Sequence, residues 1–199
     1  MNRDPLAELA LVLAASVGCW GCGDPSTAKL PVNLDQLGAV APEHPAQAVL
    51  ALRLGDASPE RCGLDVEVTL PTSEAATTLS SGVGERLMDG MDASVDCRVE
   101  SVGVEGGGFD IDLRLQHRSL PRFQLTGTVR AGSPGSVVID LALPDADPLR
   151  AECTTQVEEI RAGAAWLGSL TCSEPFRASE RLTSCALSGG VVFENCASR

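Results

Sequence analysis

Apolar and polar residues alternate with a period of two through most of the chain beyond residue 60. The alternation is clearest at 62–70, and it recurs at 95–99, 109–115, 123–129 and 137–143. Such a pattern places apolar side chains on one face of a β-strand and polar side chains on the other. It therefore predicts antiparallel strands that pack one face on a core and expose the other to water.

Weaker patterns indicate further strands at 49–54, 149–157, 166–172 and 191–193. Apart from the short segment at 49–54, these make about eight strands, separated by turn residues at intervals of roughly 8–15 residues, which favours a sandwich or a barrel. We therefore predict an all-β fold, a disulfide-bonded antiparallel β-sandwich or, alternatively, a partly open barrel.

A β-hairpin is predicted around the glycine run Gly106-Gly107-Gly108. Glycine tolerates the positive φ angles that tight turns need, and strand patterns flank the run on both sides. The apolar phase slips between Val99 and Val102, which predicts a β-bulge near Ser101.

One segment, at about 72–92, departs from the strand pattern. Leu79, Val83, Leu87 and Met91 recur every four residues, as on one face of a helix. We predict a partly helical loop whose apolar stripe packs on the sheet. A lid that covers a ligand is the alternative interpretation.

The chain begins with an apolar run at 9–18, which is shorter than the ~20 residues of a membrane-spanning helix. The run ends in Val17-Gly18-Cys19, which resembles the end of a bacterial lipobox, and Gly21-Cys22 is a second, poorer match. We predict a signal peptide with lipidation at Cys19, or alternatively at Cys22. The rival interpretations are a buried N-terminal helix and, for Cys19-Trp20-Gly21-Cys22, a thioredoxin-type redox pair.

The domain organisation follows from this start. Residues 1–18 are assigned to the signal peptide, 19–47 to the lipid anchor and a flexible tether, and 48–199 to one β-domain. The tether assignment rests on a polar composition, punctuated by proline, that shows no periodicity. We therefore expect an exported protein of the bacterial cell envelope that is anchored to the outer membrane.

Six further cysteines follow the N-terminal pair: Cys62, Cys97, Cys153, Cys172, Cys185 and Cys196. An even number of cysteines in an exported chain predicts disulfides. Zinc sites favour clustered ligands, whereas these six are scattered and the two histidines, His44 and His117, stand alone. Several pairings are open, and pairing of sequence neighbours is our default expectation: Cys62–Cys97, Cys153–Cys172 and Cys185–Cys196.

The formal net charge of −12 argues against binding to nucleic acid or to anionic lipid surfaces. Asp110, Asp112 and His117 are the one cluster suited to acid–base chemistry, and Asp145 and Asp147 flank a loop that could hold Ca²⁺. Alternate acids on a strand are, however, typical of a solvated face, and an Asp-rich turn is ordinary turn chemistry. Since hydrolase, phosphate-loop and dinucleotide motifs are missing from the sequence, we predict no enzymatic activity, no cofactor and no metal.

The C-terminal segment has a distinctive spacing of aromatic, cysteine and glycine residues. Trp166 and Cys172 precede Cys185, Gly189-Gly190 and the closing Val192-Phe193-Glu194-Asn195-Cys196. This block resembles the C-terminal block of uncharacterised lipoproteins found in myxobacteria. The resemblance implies a surface or periplasmic lipoprotein of unknown role, with no catalytic residues to carry over.

These observations predict a lipid-anchored protein of the cell envelope with a structural or binding role. Its expected partners are the membrane, reached through the lipid anchor, and a protein or a small apolar ligand held between the sheets. The alternative function is an exported enzyme, or a protease inhibitor that presents Ser173–Ser184 as a disulfide-framed loop.

Overall fold

The computed structural model describes residues 45–56, 62, 64–71, 79–80, 93–103, 107–177, 180–182 and 185–197. Within these residues the chain is all-β, and burial along β4 to β8 largely follows the alternation of the sequence, whereas β1 and β12 are buried along most of their length. The strands are β1 (Gln47–Asp56), β2 (Val66–Leu70), β3 (Leu79–Ser80), β4 (Ser94–Val102), β5 (Gly108–His117), β6 (Leu120–Arg130), β7 (Pro134–Ala142), β8 (Leu149–Arg161), β9 (Ala164–Ser173), β10 (Phe176–Arg177), β11 (Glu180–Arg181) and β12 (Cys185–Glu194).

The long strands form one antiparallel sheet with the order β2-β1-β12-β9-β8-β7-β6-β5-β4. Strands β4 to β9 follow one another as hairpins, and β12 returns to lie between β1 and β9. The short strand β3 pairs with β1, and β10 pairs with both β8 and β11. The all-β antiparallel prediction is confirmed, in the form of a single curled sheet, a half-barrel, rather than two stacked sheets. The twist of long strands lets one sheet enclose its own core.

The curl brings strand β4 against the end of the described chain. The amide of Ala197 donates to the carbonyl of Cys97 (3.0 Å), and the amide of Gly163 donates to the carbonyl of Val99 (3.3 Å). The amide of Cys196 in turn donates to the carbonyl of Gly163 (3.0 Å). The β8–β9 turn and the C-terminal segment therefore satisfy part of the edge of β4, which would otherwise be open to water.

The concave face of the half-barrel carries one continuous apolar core. Because aromatic residues are scarce in this chain, aliphatic side chains supply most of the packing. The largest fully buried side chains are Phe123, Phe193, Leu50, Leu70, Leu79, Leu113, Leu115, Leu120, Leu125, Ile139, Leu167 and Leu170.

The predicted hairpin is confirmed as β4 and β5, and Gly107 has a φ of 67° at its turn. The predicted bulge near Ser101 is wrong, since pairing continues without a register shift from Ser94 to Val102. The change of apolar phase arises because Val102 lies on the solvent-facing side, where it is half-buried at the end of its strand.

Irregular pairing occurs instead between β8, β9 and β12. The register shifts around Val157 on β8, and it shifts again where β9 passes Gly189 and Val191 of β12. A bulge moves the following residues to the other face of the strand. As a result Leu167 and Leu170 both point into the core, whereas Trp166 lies on the convex, solvent-facing side.

The segment predicted as a partly helical loop, or as a lid, lies largely outside the described residues. Its described part, Leu79–Ser80, is strand β3, which pairs with Gln47 and Ala48. Leu79 is fully buried there, so its apolar character serves the sheet rather than a helix. Across the ranges that the structure describes, no helix is long and apolar enough to cross a membrane.

Candidate functional site

All six cysteines of the domain are paired, in the disulfides Cys62–Cys185, Cys97–Cys196 and Cys153–Cys172. The predicted pair Cys153–Cys172 is confirmed, and it joins facing positions on β8 and β9. The predicted pairs Cys62–Cys97 and Cys185–Cys196 are wrong. The two cysteines predicted for lipidation, Cys19 and Cys22, lie outside the described residues.

The tertiary fold explains why sequence neighbours do not pair. Cys185 opens β12 and Cys196 follows its end, so at ~3.3 Å per residue they are separated by roughly 30 Å or more. A disulfide needs Cα atoms about 4–7 Å apart. The curl instead places Cys97 of β4 at a Cα–Cα distance of 4.8 Å from Cys196, and Cys62 lies 4.7 Å from Cys185.

The acid–base cluster suggested by the sequence does not assemble. Asp110 and Asp112 lie on the solvent-facing side of β5, where Arg114 donates to Asp112 (2.9 Å). His117 is fully buried on the core side, and its Nδ1 accepts a hydrogen bond from the amide of Ser119 (3.1 Å). The two carboxylates and the imidazole therefore point to opposite faces of the sheet.

Asp145 and Asp147, which could bind calcium but are assigned from the sequence to ordinary turn chemistry, are exposed in the turn between β7 and β8, where Asp145 has a φ of 56°. Asp is one of the residues that tolerates this left-handed conformation, so turn geometry accounts for it. In the described part of the chain, no three His, Cys, Asp or Glu side chains are grouped so as to hold a metal ion. His44 lies outside that part.

The proposed inhibitor loop Ser173–Ser184 contains the small hairpin of β10 and β11. Its flanking cysteines, Cys172 and Cys185, belong to two different disulfides, so its ends are fastened separately. Residues 178–179 and 183–184 are outside the described residues.

The described residues of the interior form a narrow cleft at which the expected apolar ligand can be tested. The cleft lies between β1 and β2 on one side and β6 and β7 on the other. Its walls are Leu52, Leu54, Val66, Val68, Leu120, Leu141, Leu143 and Leu187. The cavity volume is only about 10 Å³, which suits about one water molecule.

A larger pocket opens on the convex side, where β8, β9 and β12 meet. Its volume is about 160 Å³. Trp166 pairs across the strands with Val192 of β12 and with Glu159 of β8. The remaining wall residues are Arg161, Ala164, Ala165, Phe193 and Glu194. We call this the Trp166 pocket.

The Trp166 pocket has an apolar floor and a charged rim. Val192 is 2% exposed, so the floor is dry although it lies on the convex side of the sheet. At the rim, the Arg161 guanidinium lies 3.7 Å from a carboxylate oxygen of Glu159 (Nε to Oε1), and both side chains are about half exposed. These two opposite charges offset each other, so the rim has no strong preference for anions or cations.

Two buried polar atoms at this pocket have no hydrogen-bond partner among the described residues, namely Nε1 of Trp166 and Oε2 of Glu194. The Glu194 side chain belongs to the small set of buried charged groups, with 6% of its surface exposed. Buried polar atoms in native proteins are nearly always paired, so two unpaired atoms at one pocket require an explanation.

Burial of Glu194 shifts its acid–base equilibrium. Loss of solvation raises the pKa of the carboxyl group above its usual value of 4.5, while the nearby positive charge of Arg161 acts in the opposite direction. The net effect makes ionisation of this carboxyl group less favourable than ionisation of a glutamate in water.

Sequence reasoning found this pocket only in part. Trp166 and Glu194 stand out in the C-terminal block, but the weak strand pattern at 166–172 does not show which side of the sheet Trp166 faces. Arg161 and Glu159 carried no signal, since charged residues at the end of a strand are usually solvated. The bulges that gather these residues on one face depend on pairing between distant strands.

Comparison with known proteins found no match to a family model, to a curated protein or to a solved structure.

Proposed function

We propose that this protein is an exported, lipid-anchored component of the bacterial cell envelope, with a binding role carried by its half-barrel domain. The observation that supports export is the pairing of all six domain cysteines in three disulfides. Disulfides persist in oxidising surroundings such as the periplasm and the cell surface, and are rare in the cytosol.

The pairing also supports lipidation of an N-terminal cysteine. Because the six domain cysteines satisfy one another, neither Cys19 nor Cys22 is needed as a disulfide partner in the domain. Val17-Gly18 before Cys19 matches the lipobox better than Trp20-Gly21 before Cys22, so Cys19 is the proposed lipid acceptor. The segment 19–47 then links the outer membrane to the domain.

A binding role is supported by the Trp166 pocket, which combines an apolar floor with two unpaired polar atoms. A purely structural domain gains nothing from such atoms, since an unpaired buried polar group costs about 1–3 kcal/mol. An enzymatic role has less support, because the candidate acid–base residues of β5 point to opposite faces.

Metabolic labelling with a fatty-acid analogue tests the anchor. We expect label on the wild type and on Cys22→Ala, and no label on Cys19→Ala, because the acyl chain is attached to the first residue of the mature chain. Mass spectrometry of the mature N-terminus identifies the modified residue independently.

A wild-type protein without label, or label that survives replacement of both Cys19 and Cys22, would refute the anchor. Label lost from Cys22→Ala but kept on Cys19→Ala would move the anchor to Cys22 and leave the rest of the proposal in place.

A further inference from the structure

The two unpaired atoms of the Trp166 pocket are complementary in their hydrogen-bonding chemistry. The indole Nε1–H of Trp166 can only donate, and the carboxyl group of Glu194 can accept. The two residues are close neighbours on the convex face, because Trp166 pairs with Val192 and Glu194 lies two positions further along β12. A ligand that satisfies both must therefore present an acceptor and a donor within a short distance.

The size and lining of the pocket restrict the ligand further. A volume of about 160 Å³ is close to that of an engineered protein cavity of ~150 Å³ that accepts benzene. The pocket thus has room for a group of a few heavy atoms rather than for a whole peptide or a long acyl chain. Ala164 and Val192 provide an apolar surface for a methyl or methylene group.

We propose that the Trp166 pocket binds a compact amide group, whose carbonyl oxygen accepts from Trp166 Nε1 and whose N–H donates to Glu194. The inference rests on the binding role proposed above and names its ligand class. An N-acylated amino sugar and a short peptide both carry this group, and the experiment below separates these sources.

The charges around the pocket favour an uncharged ligand. Arg161 already lies near Glu194, so a cationic ligand would meet a positive neighbour, and an anion would meet Glu159 and Glu194. Since both unpaired atoms are covered in the free protein, binding requires a movement of the pocket side chains that uncovers both atoms.

The indole N–H resonance of Trp166 is a direct probe, since Trp20 is the only other tryptophan and Trp20→Phe leaves a single indole signal. We expect N-methylacetamide, added to the full mature protein, to shift that signal saturably with a Kd on the order of 1 mM. Glu194→Leu should weaken binding roughly tenfold or more, because one of the two hydrogen bonds is lost. The exposed Glu152→Leu on the convex face of β8 is the matched control and should bind like the wild type.

Three compounds test whether the natural ligand is an amino sugar or a peptide. They are N-acetylglucosamine, glucosamine as the control that lacks the acyl group, and a blocked dipeptide. Tighter binding of the acylated sugar than of the dipeptide assigns an amino-sugar ligand, and the reverse order assigns a peptide. A shift with glucosamine equal to that with N-acetylglucosamine would overturn the amide assignment.

If none of these probes shifts the indole signal of Trp166 saturably, the pocket does not bind an amide and the inference is refuted. An unfolded Glu194→Leu variant would be replaced by Trp166→Phe, with binding followed by calorimetry. Lipid labelling is independent of these titrations. A labelled protein that binds no amide refutes only the pocket, whereas an unlabelled protein that binds amide refutes only the anchor.

Discussion

At the scale of single residues, burial of Glu194 opposes ionisation of its carboxyl group. It lies on the convex face, where most acidic side chains are solvated, yet only 6% of its surface is exposed. Desolvation penalises its ionised form, and Arg161 compensates for only part of that penalty. A residue of this kind makes stability depend on pH and points to a role other than packing.

The stability of the domain should depend on pH through Glu194. The folded-state pKa of Glu194 is raised, so its contribution is fully present below the unfolded value of 4.5 and is lost as pH rises through the folded pKa. The free energy of unfolding of the wild type should therefore fall relative to that of Glu194→Gln as pH rises from about 4 to about 8. Urea denaturation of both proteins at several pH values measures this.

Glu152→Gln provides the comparison, because Glu152 is exposed on the same face. It controls for the loss of an exposed carboxylate on this face. A difference between Glu194→Gln and the wild type that does not change with pH would show that burial of Glu194 does not control its ionisation.

At the scale of the strand, close packing of β12 against β1 depends on glycine. A Cβ atom added to Gly189 would overlap the carbonyl oxygen of Ala51, and it would lie 2.9 Å from a methyl group of Leu52. The same glycine is next to the register shift between β9 and β12. The absence of a side chain at this position therefore lets the irregular pairing coexist with a tight core.

Gly189→Ala should lower the free energy of unfolding by roughly 1–3 kcal/mol, since backbone atoms of β1 would have to move. Gly103→Ala is the matched control, because no atom lies within 4 Å of its added Cβ, and its effect should stay within about 0.5 kcal/mol. Thermal unfolding followed by circular dichroism compares the two. Equal free energies of unfolding for the two variants would show that β1 can move away from β12 with little loss of stability.

At the scale of the whole molecule, disulfides between distant parts of the chain stabilise the curled sheet. Cys97–Cys196 spans 99 positions and ties the β4 edge to the C-terminal segment, and Cys62–Cys185 spans 123 positions. Cys153–Cys172 spans only 19 positions within one hairpin. The long cross-links restrict the unfolded chain more strongly than the short one.

Replacing Cys97 and Cys196 together by alanine should therefore destabilise the domain more than replacing Cys153 and Cys172. Loop entropy gives about 4.7 kcal/mol for a loop of the longer size and about 3 kcal/mol for one near the shorter size. Guanidinium denaturation without reductant measures both losses. A larger loss for the Cys153 and Cys172 variant would contradict the role assigned to the long cross-link.

Part of the Trp166 pocket could be foreseen from the sequence and part could not. Trp166 and Glu194 are conspicuous because of their neighbours in the C-terminal block. Their meeting with Arg161 and Glu159 could not be foreseen, because it depends on bulges whose positions are set by pairing between β8, β9 and β12. The prediction of a bulge near Ser101 is wrong for the same reason, because the order of apolar and polar residues along one strand does not show how two strands pair.

The sequence by itself determined most of the long strands, the buried face of the regularly alternating strands β4 to β7, and the presence of disulfides. These properties follow from alternation and residue type, which act over a few positions. Only the tertiary structure decided that one sheet curls into a half-barrel, that Cys97 meets Cys196, and that Trp166 faces outward. Each of these depends on twist and register accumulated over many strands, so no local stretch of sequence carries it.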